Sequence, residues 1–194
     1  MKKIALLIVI SLLVVSCKNE KTTSEKQKHS HNDATEKVEK TKKKPLSPHT
    51  SAMAMVGDAH VHIDYSSPGV RGRIIFGGLL AYDQVWQAGA HKATWLETNK
   101  DLIIEGKTIA AGKYGLFTIP SKEKWTIILN SNWDQHGKDE YDEKDDVIRF
   151  KVTPVVSDEV TEHLKYEIKK TSEGEGTISL SWEKVTVSFP FKIK

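Results

Sequence analysis

The chain has 194 residues, 38% hydrophobic and 28% charged, with a formal net charge of +3. Residues 18–48 hold nine Lys against five acidic residues, whereas residues 49–194 hold 18 basic against 21 acidic residues. The basic balance therefore belongs to the N-terminal part, and nucleic-acid binding by the remainder has no electrostatic argument. The one cysteine, Cys17, excludes an internal disulfide framework and leaves no thiolate downstream for catalysis or zinc.

Lys2 and Lys3 precede an apolar run from Ile4 to Val15, then Ser16 and Cys17. A charged start, a short apolar stretch and a small residue predict a secretory signal over 1–16. The run is shorter than the roughly 20 residues a spanning helix needs. Leu13-Val14-Val15-Ser16-Cys17 resembles a bacterial lipobox, which implies lipidation of Cys17 and a membrane tether through that lipid. Lys18, not Asp, follows the cysteine, which favours outer-membrane placement by the commonest sorting rule. Residues 17–48 form a Lys-rich stretch with almost nothing apolar, too poor in burial to offset ordering entropy, and are expected to be a disordered linker.

From His49 the texture changes to one all-β domain over 49–194. Short runs rich in Val, Ile, Thr and aromatics alternate with Gly, Asn, Asp and Pro. Strands are predicted at 50–56, 59–65, 72–76, 92–98, 101–104, 113–119, 124–130, 146–152, 161–169, 176–182 and 184–192. One helical turn is expected at Leu79 to Trp86. This pattern predicts an antiparallel β-sandwich or a jelly-roll-like barrel.

The first two strands carry the sharpest chemical signal. Gly57-Asp58 suits a two-residue hairpin turn. Such a turn would set Met55 opposite His60 and Met53 opposite His62. One face would then carry Ala52, Ala54, Val56, Ala59, Val61 and Ile63. The other would carry Met53, Met55, His60 and His62, with His49 and Ser51 on the same face by parity. Opposed Cβ atoms lie about 4.5–5.5 Å apart, within reach of a shared ion. Two thioethers and two imidazoles favour copper, Cu(I) above all, with zinc second. His91 and His136 are candidates to complete the site from loops. Packing or a solvated face is the competing reading of the same residues.

Other constellations are less specific. Asp134, Asp139, Glu140, Asp142, Glu143, Asp145 and Asp146 lack the spacing and glycine of an EF-hand and are expected in a solvated loop. Arg71 and Arg73 would either grip an anionic ligand or pair with an acid such as Asp64 or Asp83. Most of Trp86, Trp95, Trp125, Trp133 and Trp182 should be core, with a sugar-stacking platform as the alternative. No Ser, His and acid spacing matches a nucleophile motif.

Tyr65-Ser66-Ser67-Pro68, Arg71-Gly72-Arg73, Phe76-Gly77-Gly78-Leu79, Val85-Trp86 and Gly89-Ala90 together resemble the family called domain of unknown function 2911. Leu116-Phe117-Thr118-Ile119-Pro120, Trp125-Thr126 and Asn130 with Trp133 extend the resemblance over most of 50–194. It implies a secreted or lipid-anchored β-domain of Bacteroidetes-type bacteria, and no reaction. The asparagine-synthetase label of some members finds no phosphate loop or N-terminal nucleophile here. His60, His62 and His91 stand where the family pattern has other residues. These readings converge on a non-enzymatic binding module of the cell envelope. The alternatives are a carbohydrate- or protein-binding sandwich and a metal-dependent hydrolase built on His60, His62 and His91.

Overall fold

The structure, a computed structural model, describes residues 45–194. The expected signal over 1–16, Cys17 and nearly all of the 17–48 linker lie outside the described residues. Ten strands follow in order: β1 His49–Val56, β2 Ala59–Ser66, β3 Trp95–Thr98, β4 Leu102–Ile104, β5 Lys107–Ile109, β6 Gly112–Ile119, β7 Trp125–Asn130, β8 Asp146–Val152, β9 Val155–Ser172 and β10 Glu175–Ile193. They build a six-stranded sheet, β1-β2-β3-β6-β7-β8, and a four-stranded sheet, β5-β4-β10-β9. Every strand pairing is antiparallel. Neither sheet closes on itself, so the sandwich, not the barrel, is the architecture.

The core between the sheets follows from strand alternation. Val61 and Ile63 of β2, Leu96 of β3 and Leu116 of β6 meet Leu164 and Tyr166 of β9 and Leu180 and Trp182 of β10. Phe76, Trp86, Trp125 and Trp182 form an aromatic knot in which Phe76 and Trp125 lie 4.7 Å apart edge-to-face. The three most buried tryptophans, Trp86, Trp125 and Trp182, are core, while Trp95 and Trp133 are half-buried.

Four strand expectations change. Residues 72–76 are not a strand: Arg71 and Gly72 both adopt positive φ, and Arg73 N–H donates to Val70 in a turn. The apolar Ile75 and Phe76 are buried from a loop instead. Leu79 to Trp86 holds turns and no helix. A short strand, β5, follows the two-residue turn Glu105-Gly106, and β9 begins six residues before its predicted start. The predicted strands 176–182 and 184–192 are one strand with a bulge at Glu183. Inward residues are even-numbered before it (Ile178, Leu180, Trp182) and odd-numbered after it (Val187, Phe189, Phe191). The left-handed backbone at Glu183, where the register with β9 shifts, flips the parity of every later side chain of β10.

The segment 131–145 folds back across the outer face of β6 and β7. It covers a second small cluster of Ala93, Phe117 and Ile128, with Tyr141 packed 5.0 Å from Phe117. Gly115 permits this approach: a Cβ there would sit 3.2 Å from the Asn132 carbonyl oxygen and 2.7 Å from the Phe117 ring. Among the described residues no segment folds back over the same outer face at β1 and β2, and that is where the soft donors lie.

Candidate functional site

The turn fixes which side chains share the open face. Gly57 has φ +55°, a conformation glycine adopts without steric penalty. The β1–β2 register is Val56↔Ala59, Met55↔His60, Ala54↔Val61 and Met53↔His62, as the sequence implied. Lys100 Nζ reaches Asp58 Oδ2 at 2.6 Å, and His60 N–H donates to Asn99 Oδ1 at 2.7 Å, anchoring the hairpin end. Val56, Ala59, Val61 and Ile63 are fully buried, which forces the alternate residues outward. Met53 and Met55 are 60% and 56% exposed, unusually open for two such side chains on adjacent outward positions.

The imidazoles sit deeper. The His60 and His62 ring centres are 5.9 Å apart. Two imidazoles on one ion, with metal–nitrogen bonds of about 2.0–2.1 Å, place their ring centres roughly 5–6 Å apart. His62 also stands edge-on to Trp95 at 5.1 Å. Its Nε2 is buried and has no hydrogen-bond partner among the described residues. Leaving such an atom unpaired costs about 1–3 kcal/mol. On its other flank His62 pairs in register with Glu97 of β3, whose carboxylate lies 3.8 Å from Lys113 Nζ. Lys113 Nζ in turn sits 3.9 Å from the Trp95 ring centre and 4.4 Å from that of Trp133. Those two rings meet edge-to-face under an ammonium, so they offer no flat platform for a sugar. No local signal places Trp95, Glu97 and Lys113 beside the hairpin, because β3 pairs with β2 across some 30 intervening residues and β6 reaches the site only through β3.

The other candidate histidines do not join this face. Ala90 N–H donates to Ser66, placing His91 beside the C-terminal end of β2. His60 is next to the turn at the opposite end, six residues or ~20 Å away along an extended strand. His136 bridges to Lys92 and its Nδ1 lies 3.1 Å from Asp139 Oδ2, on the covering segment. His49 shares the hairpin face, but its Nε2 is held by Asp64 Oδ1 at 2.8 Å. Among the described residues no three His, Cys, Asp or Glu side chains gather as a metal site. Any site on the hairpin therefore depends on the methionine sulfurs.

The acidic stretch is only partly a solvated loop. Asp146 is buried and accepts from Asn130 Nδ2 at 2.8 Å and Tyr141 OH at 2.9 Å, with Arg149 Nε 3.2 Å away. Burial pushes the Asp146 carboxyl up against the opposing hydrogen bonds from Asn130 and Tyr141. Burial and the bond to Asp146 raise the Tyr141 phenol far above its ordinary range. This network closes the sheet edge.

Arg71, Arg73 and His91 come together instead in a cleft of about 320 Å³ beside the ends of both sheets. Arg73 donates from Nε to the Val70 carbonyl at 3.0 Å and from Nη2 to Gly69 at 2.6 Å, and so braces the loop rather than pairing with Asp64 or Asp83. Arg71 takes Glu162 through its backbone N–H, and its guanidinium forms no ion pair among the described residues. The segments Arg71-Gly72-Arg73, Leu79, Trp86 and Gly89-Ala90 all contribute to this cleft.

No curated protein and no solved structure matches the chain. A family model described as "Protein of unknown function (DUF2911)" matches residues 47–191, nearly the whole described domain. The chain belongs to that family.

Proposed function

We propose that this protein is a lipid-anchored binding module of the cell envelope, and that its β1–β2 hairpin holds a soft metal ion, Cu(I) in preference to Zn²⁺. One observation carries the metal reading: two thioethers directly oppose two imidazoles on a sheet face that no other described segment covers, and one imidazole nitrogen there is buried without a partner among the described residues. Thioether and imidazole donors suit Cu(I), whereas hard ions prefer oxygen ligands. With no cysteine among the donors, the set suits buffering or transfer of the ion rather than blue-copper electron transfer. The lipid anchor rests on the Cys17 lipobox and is read by acyl labelling of the chain and of Cys17→Ser.

Titration of the protein with Cu(I) against a competing chelator tests the metal site. The same titration is run on a variant carrying Met53→Ala, Met55→Ala, His60→Ala and His62→Ala that retains its circular dichroism. One ion bound per chain, lost in the variant, is the expected result. Equal binding by both proteins, or none by either, removes the proposal.

A further inference from the structure

The second feature of the molecule that calls for a ligand is the arginine cleft, and it is independent of the hairpin. Its walls combine Arg71, Arg73, Gln87 and His91 with the indoles of Trp86 and Trp182. The two indoles stack with ring centres 5.6 Å apart at 24°. No Asp or Glu lines the cleft. Two acids bond the loop's backbone from outside it: Glu162 of β9 accepts from Arg71 N–H and Glu183 of β10 accepts from Ile75 N–H. The lining itself carries positive charge, and the Arg71 guanidinium forms no ion pair among the described residues, with the Glu162 carboxylate engaged by the Arg71 backbone rather than by its side chain.

Two further observations mark the cleft as built for an occupant. Trp182 is 1% exposed, and its indole N–H is buried with no acceptor among the described residues. Buried donors are almost always paired, and a ligand in the cleft would reach this one only with a shift of the lining. The second is backbone strain. Six non-glycine residues adopt left-handed φ: Arg71, Asp83, Ala88, His91, Glu105 and Glu183. Glu105 lies in the ordinary two-residue turn between β4 and β5. Arg71 and His91 line the cleft, Ala88 sits between its wall residues Gln87 and Gly89, and Glu183 follows Trp182. Asp83 precedes Gln84 in an adjoining hollow that shares Trp86 and Gln87 with the cleft. Strain of this kind persists where surrounding structure enforces it, and it concentrates at binding sites.

We infer that this cleft binds a small polyhydroxylated anion, a sugar acid or a sugar phosphate. The Arg71 guanidinium matches either oxyanion in a two-point contact. Gln87 and His91 offer hydrogen bonds to hydroxyls, and the apolar wall at Trp86 and Leu79 accepts the C–H face of a ring. The volume suits one small ligand, at the low end of ordinary pockets.

The test is calorimetric titration of the protein with D-glucuronate, glucose 6-phosphate, glucose and inorganic phosphate, with tryptophan fluorescence as a second readout. The Arg71→Gln variant is run in parallel; the side chain is exposed, so the fold is retained. The expected result is saturable binding of glucuronate or of glucose 6-phosphate, at least about tenfold tighter than glucose and inorganic phosphate and weakened at least about tenfold in Arg71→Gln. Preference between the two anions distinguishes carboxylate from phosphate as the natural group. Failure of both to saturate overturns the inference, as does equal binding of glucose or inorganic phosphate, or equal binding by the variant. The hairpin variant used for Cu(I) should bind these ligands as the parent does, which separates failure of one site from failure of the other.

Discussion

The outer face of the six-stranded sheet is two regions with opposite treatments. Over β6 and β7 the chain folds back, and segment 131–145 seals Phe117 and Ile128 while Asn130, Tyr141 and Arg149 all bond to Asp146. Over β1 and β2 no described segment folds back, two methionines are more than half exposed, and His62 Nε2 has no partner among the described residues. On this outer face, then, the closed half pairs the Asp146 carboxylate and the open half leaves one imidazole nitrogen, His62 Nε2, without a partner among the described residues, while the inward Thr118 Oγ1 of β6 is unpaired as well. Local inconsistency of this kind gathers at functional sites, and that tendency supports the proposed metal site.

The largest effect should come from breaking the closed half. Phe117→Ala removes a fully buried ring under the covering segment, and should cost about 3–5 kcal/mol in chemical denaturation. A loss near that of a surface substitution would mean that the segment does not seal the face. Asp146→Ala should cost about 2 kcal/mol, because it strands the Tyr141 hydroxyl and leaves Asn130 with only the Asp142 carbonyl and Arg149 with only Glu143. Unchanged stability would show that water serves those donors equally well.

Protons probe the interior between the sheets. Tyr166 is wholly buried, bonds through its OH to the Ala88 carbonyl at 2.9 Å, and is held well above its ordinary value by burial. The neutral phenol is favoured in the fold, so its contribution is fully present below the unfolded value near pH 10 and is lost as pH rises beyond it. Stability should then fall by about 1.4 kcal/mol per pH unit, and less steeply in Tyr166→Phe. Identical alkaline profiles for the two proteins would contradict this.

The open half should respond with the opposite sign. His62→Leu removes an unpaired buried nitrogen and should raise thermal stability by about 1 kcal/mol while weakening Cu(I) binding. Destabilisation would place His62 in the packing and not in a site held at a cost.

The hairpin was legible in the sequence because everything that fixes it is local. Gly57-Asp58 is a two-residue turn, the alternation Ala59, Val61, Ile63 declares the core face, and register follows from both. The cleft was legible only as residue types. Arg71 and Arg73 stand out as residue types, but 72–76 reads as a strand, because Ile74-Ile75-Phe76 looks like one and no residue type announces left-handed φ at Arg71. His91 was assigned to the hairpin, although the bond from Ala90 to Ser66 carries it to the far end of β2. The bulge at Glu183 hid in the same way: its only trace is the change of parity between Trp182 and Val187.

The most direct test of the central claim is X-ray absorption at the copper edge on the Cu(I)-loaded protein. The account predicts a mixed shell of sulfur and imidazole nitrogen, with sulfur lost in the Met53→Ala, Met55→Ala variant and imidazole lost in the His60→Ala, His62→Ala variant. A shell of nitrogen and oxygen alone, unchanged in both variants, would place the ion elsewhere and return the Met/His face to the ordinary surface.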